Sequence, residues 1–210
     1  QAGIHLAVVN IHHFADEMLA EIERLKPLLP GMAIGISDER NQLLETGGGL
    51  KRAAPLFLRR QPILAVNVDV LTNLNLRAMI EHQRNTGALA VMAIRKRETS
   101  RYLMWNNEMR LRGWKNMETG ATKGQDTPEL QPFAFSGVQV LRHDFPRRLT
   151  EQGKFSIIDP YLRLANSQLI QGLRHDEDFW LDVGKPAQLE QARQEHRGVF
   201  VLDRGCTNLL

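Results

Sequence analysis

The stretch Ile63-Leu64-Ala65-Val66-Asn67-Val68-Asp69-Val70 constrains what this chain can fold into more than any other. Six of its eight residues are apolar; Gln61-Pro62 precedes it and Leu71-Thr72-Asn73 closes it. That is the pattern of a strand buried on both faces, which belongs inside an α/β sheet with helices above and below. Asp69 is the one carboxylate in the run. A charge there is costly to hide, yet the carboxyl ends of strands are where ligands bind in open α/β sheets. Asp69 can cap the turn into a helix over 75–84, or it can meet a ligand or metal. A second aspartate ends a similar run, Trp180-Leu181-Asp182-Val183-Gly184, and three glycines precede the first. Both features favour the ligand role.

Residues 4–11 read as a strand. Phe14, Met18, Ile22 and Leu25 then recur at helical spacing until Pro27 and Pro30 stop the helix. Residues 32–37 form a second strand. The histidines of His12-His13 leave a strand on opposite sides, and no cluster at ligand spacing supports a metal there. Gly47-Gly48-Gly49 is read as part of an anchored loop over 37–50, with a short helix at 51–57 behind it. Consecutive glycines suit a backbone that approaches a ligand closely, and free N–H groups at a helix start favour anions. The loop is neither a Walker A sequence nor a Gly-x-Gly-x-x-Gly fingerprint.

After a helix carrying Leu76, Met79 and Ile80 inward, the pattern predicts a strand at 88–94 and a hairpin of 102–105 with 109–114. An exposed loop follows at 118–132, then a strand at 133–141 interrupted by Gly137. Ser156-Ile157-Ile158-Asp159 reads as a capping box for a helix with Ile158, Tyr161, Leu162 and Ala165 inward. A strand at 179–183 and a helix at 187–196 complete the order, with a possible strand at 199–202. This alternation is that of a mostly parallel sheet with helices on both faces.

Composition removes other classes. At 210 residues, with 42% hydrophobic and 24% charged residues, the chain makes one soluble α/β domain. The net charge is only +3, and Arg95-Lys96-Arg97 and Arg147-Arg148 lack the interleaved aromatics that stack bases, so no nucleic-acid partner is expected. No segment approaches the roughly 20 apolar residues of a membrane helix. The single cysteine, Cys206, excludes an internal disulfide and fits a cytoplasmic protein.

The order of motifs resembles the sugar-1-phosphate nucleotidyltransferases, nearest to the branch holding mannose-1-phosphate guanylyltransferases and N-acetylmuramate-1-phosphate uridylyltransferases. The matching stretches are Ala2-Gly3-Ile4 through Val9-Asn10, Leu44-Glu45-Thr46-Gly47-Gly48-Gly49, Val66-Asn67-Val68-Asp69-Val70, Phe135-Ser136-Gly137 and Trp180-Leu181-Asp182-Val183-Gly184. The resemblance implies a three-layer α/β/α Rossmann-like fold over 1–197 with a tail at 198–210. It implies an enzyme that joins a nucleoside monophosphate from a nucleoside triphosphate to a sugar 1-phosphate, releasing pyrophosphate. By the same resemblance Asp69 and Asp182 are catalytic and hold Mg²⁺, Glu45, Thr46, Gly47 and Gly48 bind the nucleotide, and Asn67, Ser136 and Gly137 line the sugar pocket. On that reading Gly48→Val is expected to abolish nucleotide binding with stability nearly unchanged. Lys115 and Lys154 are further cations that could contact a sugar phosphate, or be simply solvated.

The family's first strand, Gly-rich loop, arginine and Pro-Lys have no counterpart here. The resemblance therefore implies a missing strand-loop-helix unit of roughly 30 residues or more, and, with that first, central strand absent, an exposed gap in the sheet that another segment must fill. The chain is expected to be a fragment or a shortened homologue, binding nucleoside diphosphate-sugars weakly and exchanging little pyrophosphate. Two other readings stay open: a noncatalytic sugar-nucleotide-binding or assembly module, and a glycosyltransferase. The second needs an Asp-x-Asp, and Asn67-Val68-Asp69 offers only one acid.

Overall fold

The computed structural model describes residues 3–195. In chain order its elements are β1 (Leu6–Ile11), α1 (Ala15–Leu25), β2 (Ala33–Asp38), α2 (Glu45–Ala53), β3 (Ile63–Val66), β4 (Val70–Thr72), α3 (Leu76–Thr86) and β5 (Ala90–Arg95). The hairpin strands β6 (Arg101–Trp105) and β7 (Leu111–Asn116) follow, then β8 (Thr122–Gly124) and β9 (Gln131–Leu141). The chain continues through α4 (Ile158–Leu164), β10 (Ile170–Arg174), β11 (Trp180–Asp182) and α5 (Pro186–Glu195). The expected tail and the strand at 199–202 lie outside the described residues.

The longest strand, β9, organises a seven-stranded sheet in the order β10-β5-β9-β6-β7-β8, with β3 also on β9. Two strands share one edge of β9: Phe133 stands opposite Leu103 of β6, and Val138 opposite Val66 of β3. Gly137 lies at the changeover with φ +78°, a conformation that favours glycine. Because β3 and β5 both run antiparallel to β9 and β10 runs parallel to β5, the strands β3, β5 and β10 share one direction. A core of Trp105, Phe133, Phe145, Tyr161 and Ile170 packs on one face. Met79, Val91, Val138 and Val140 pack under α3 on the other. Fully burying side chains of this size stabilises the fold by about 1.5–3 kcal/mol each. Helix α3 starts where expected, with the Asn75 side chain accepting the Ala78 N–H at 2.9 Å.

β1 and β2 form a separate parallel pair, from Leu6 opposite Ala33 to Ile11 opposite Asp38. Between this pair and β3 lies a cavity of about 560 Å³, lined by Leu6 and Val8 on one side and Ile63, Leu64 and Ile80 on the other. This slot keeps β3 apart from the β1–β2 pair. It also corrects the reading of 63–70 as a strand buried on both faces. β3 ends at Val66, which is 48% exposed, and Val68 is 91% exposed. The Asn67 N–H donates to the Gly137 carbonyl at 2.8 Å and the Val70 N–H to the Asn67 carbonyl at 3.2 Å. The chain thus turns at Asn67 before resuming as β4.

Three further expectations change. Phe14 does not face inward from α1; it precedes the helix at φ +52° and is 68% exposed. The 118–132 loop contains β8, paired with β7. At the start of α4, the Ser156 hydroxyl accepts the Ile158 N–H at 3.3 Å, but the Asp159 carboxylate pairs with Lys123 at 2.6 Å instead of closing a box. Aspartate is one methylene shorter than the Glu or Gln a capping box uses.

Candidate active site

The two aspartates meet because β4 and β11 pair antiparallel, Val70 opposite Asp182. The Val183 N–H donates to the Asp69 carbonyl at 2.8 Å, fixing the turn against the strand end. Asp69 therefore sits in the turn between β3 and β4, not at the carboxyl end of a strand, whereas Asp182 does end β11. A Cβ on Gly184 would stand 2.9 Å from Asp69 Oδ2 and 3.1 Å from Asp182 Oδ1. The side chain that Gly184 lacks is what leaves both carboxylates room on one point. Asp182 Oδ1 also accepts the Gly184 N–H at 2.9 Å. Among the described residues neither carboxylate is in an ion pair. Two unneutralised hard oxygens around a small cradle suit Mg²⁺, which takes one or two carboxylates plus phosphate oxygens and water.

Asn67 and Gly137 adjoin this pair. A Cβ on Gly137 would stand 2.8 Å from Val70 Cγ2 and 3.1 Å from Asn67 Nδ2, so the glycine leaves room for the Val70 and Asn67 side chains. Ser136, expected to line the sugar pocket, points into the protein. It is fully buried, its hydroxyl lies 2.7 Å from His175 Nε2, and its carbonyl accepts the Trp180 indole N–H at 2.8 Å. Its side chain ties β9 to the approach of β11. His175 is itself buried, and burial, followed by the charge of Arg95, pushes its pKa down.

The glycine run is not a loop. It occupies the first turns of α2, whose opening residue Glu45 has φ +59°. A side chain on Gly47 would overlap the Phe155 ring, and a Cβ on Gly48 would stand 2.5 Å from the Gly153 carbonyl oxygen. A Cβ on Gly49 would stand 3.0 Å from Glu39 Oε1. Thr46 Oγ1 accepts the Ile157 N–H at 3.1 Å, and Lys154 reaches Glu45 at 3.4 Å. The close approach that demands glycine is made by this protein's own 153–157 segment, so Gly48→Val has to disturb packing as well as any ligand. Asn10 donates to both Glu39 and the Gly49 carbonyl, which ties α2 to the ends of β1 and β2. Asp69, Asp182, Asn67 and Gly137 are thus brought together, while Glu45, Thr46, Gly47 and Gly48 are held by other partners. Lys115 is paired with Asp126 at 3.0 Å.

Arg97 carries no signal in the sequence. Its guanidinium lies over the Trp180 ring, 4.7 Å from the centroid, and donates to the Phe135 carbonyl at 3.2 Å. In sequence it is one cation of a three-residue basic run; nothing local shows that Trp180 lies beneath it. Glu39, buried beside Asn10, and His175 were equally without a signal, since their partners are distant in the chain.

No protein-family model matches the chain. It is similar to the N-acetylmuramate alpha-1-phosphate uridylyltransferase of Caulobacter vibrioides, 30% identical over 193 residues that cover 88% of this chain and 75% of that one. It is also similar to the protein of the same name from Neisseria meningitidis serogroup B, 29% identical over 164 residues, covering 78% and 67%. The solved UDP-glucose pyrophosphorylase from Acinetobacter baumanii shares the fold, with a TM-score of 0.66 at 16% identity, covering 91% of this chain and 76% of that one.

Proposed function

Since this chain belongs to the sugar-1-phosphate nucleotidyltransferases, we propose that it transfers uridylate from UTP to N-acetylmuramate 1-phosphate or a close relative of that sugar, releasing pyrophosphate. The two relatives support the choice of nucleotide and sugar. The convergence of Asp69 and Asp182 on Gly184 supports the chemistry more than any other single observation.

In this reaction a phosphate oxygen of the sugar 1-phosphate attacks the α-phosphorus of the triphosphate. One P–O bond forms, the bond from the α-phosphorus to the bridging oxygen breaks, and its electron pair leaves with pyrophosphate. There is little covalent work for the protein to do; it positions the reactants and manages charge. Asp69 and Asp182 would hold the metal, and a Mg²⁺ bound there would neutralise phosphate oxygens. The Val183-to-Asp69 and Asn67-to-Gly137 backbone bonds hold these carboxylates beside Gly137, where the sugar would bind. Gly137 presents backbone there, and Asn67, which is exposed, presents an amide. Among the described residues no helix is long and apolar enough to cross a membrane. A cytoplasmic setting accords with soluble nucleotide and sugar phosphate substrates.

The test is pyrophosphate release from UTP and N-acetylmuramate α-1-phosphate with Mg²⁺. Asp182→Asn should lower kcat/KM on the order of a hundredfold or more, the scale seen when one electrostatic contact to a developing charge is removed. Retained activity in that variant would remove the aspartate pair from the mechanism. Binding of the nucleotide sugar without any turnover would favour the noncatalytic module.

A further inference from the structure

We infer that Arg97 binds the phosphate of the acceptor sugar and so sets the acceptor's position relative to Asp69 and Asp182; this rests on the nucleotidyl-transfer reading above. Most other arginines near the sheet are ion-paired, whereas Arg95 and Arg97 bond only carbonyl groups. Arg95 donates to the carbonyls of Asp176 and Asp178, Arg174 pairs with Asp176, and Arg142 and Arg148 both pair with Asp144. Among the described residues no carboxylate lies within ion-pair distance of Arg97, although it is half-buried and its Nε has no hydrogen-bond partner. A partly desolvated cation without a counter-charge is unfavourable for the empty protein. It is held nonetheless by the Trp180 face beneath it and by the carbonyls of Phe135, at 3.2 Å, and Glu98, at 3.4 Å.

Its place explains which anion it meets. Phe135 directly precedes Ser136-Gly137, and Trp180 is two residues before Asp182 on β11. Trp180 is itself anchored to the Ser136 carbonyl through its indole N–H. The guanidinium therefore stands where the Ser136–Gly137 bend meets the strand that carries Asp182. A sugar seated at Gly137 with its 1-phosphate directed to the aspartate pair would bring that phosphate within this corner. Arginine's planar fork suits a phosphate that must be oriented for in-line attack. The α2 side, which the resemblance assigns to the nucleotide, is bonded instead to β1, β2 and the 153–157 segment.

Arg97→Met keeps the stem on Trp180 and removes the charge. It should raise the KM for N-acetylmuramate α-1-phosphate tenfold or more, leave the KM for UTP within twofold and hold Tm close to the parent value. Arg97→Lys should fall between the two. An unchanged sugar phosphate KM, equal rises in both KM values, or a lowered Tm as the sole effect would each overturn the assignment. A second measurement separates this from the function itself: calorimetric binding of the sugar 1-phosphate to the full chain with Mg²⁺. Should the parent bind it but release no pyrophosphate, the transfer reading fails while loss of binding in Arg97→Met still supports the arginine. Absence of binding in the parent overturns both.

Discussion

The seven-stranded sheet and the β1–β2 pair are written in similarly apolar sequence, yet they are buried to different depths. Every residue from Ala88 to Ile94 is at most 1% exposed. In β1 only Ile11 is buried, and in β2 only Ser37. The cause is neighbours. β5 lies between β9 and β10, whereas among the described residues β1 pairs with β2 alone and its other edge faces the cavity beside β3. An apolar strand shows what the sequence would bury; only packing determines how far it succeeds. The consequence for function is a divided foundation: Asp182, Gly137 and Arg97 rest on the deeply packed sheet or beside it, and the Asn10–Glu39–Gly49 contacts rest on the shallow pair.

The largest test of that contrast uses one residue type in both regions. Ile94→Ala should cost about 2–5 kcal/mol, as for a large-to-small change in a filled core. Ile36→Ala, in β2 and only half-buried, should cost less than half as much. Urea denaturation of both variants decides it, and equal losses would erase the distinction. Next in size is Gly48→Val, which forces a side chain against the Gly153 carbonyl. Overpacking of this kind costs about 1–3 kcal/mol, so Tm should fall by several degrees; an unchanged Tm would show that α2 yields easily.

How much of this was legible in the sequence depended on whether the cause was local. The strands around β5 and β9 and the Asn75 cap of α3 announce themselves by apolar runs and a capping residue in the chain itself. The proximity of Asp69 and Asp182 also follows from two run ends of the same kind, although the antiparallel pairing that joins them does not. The break at Asn67 was hidden because it depends on Gly137, a residue far along the chain that takes positive φ only where β9 changes partner. The glycines of α2 were misplaced into a loop for the same reason: the atoms they make room for belong to residues 153–155 and to Glu39.

The smallest expected effect is on pH dependence, and it sharpens the contrast on the firm side. Burial lowers the pKa of His175 from its ordinary value of 6.5, so the folded protein binds its proton less readily than the unfolded chain. The stability it contributes is complete above about pH 6.5 and declines as pH falls from there toward the lower folded value. His175→Gln should flatten the stability profile over that window, as followed by Tm across pH 5 to about 8. A profile unchanged by the substitution would place the acid sensitivity elsewhere.

The central claim is that Asp69 and Asp182 act as one unit on the firm side of the molecule. A double-mutant cycle of Asp69→Asn and Asp182→Asn, read as kcat/KM for pyrophosphate release from UTP and N-acetylmuramate α-1-phosphate, tests it most directly. Two carboxylates serving one site predict strong non-additivity, with the double variant little slower than either single variant. Losses that multiply, as for independent sites, would contradict the shared site.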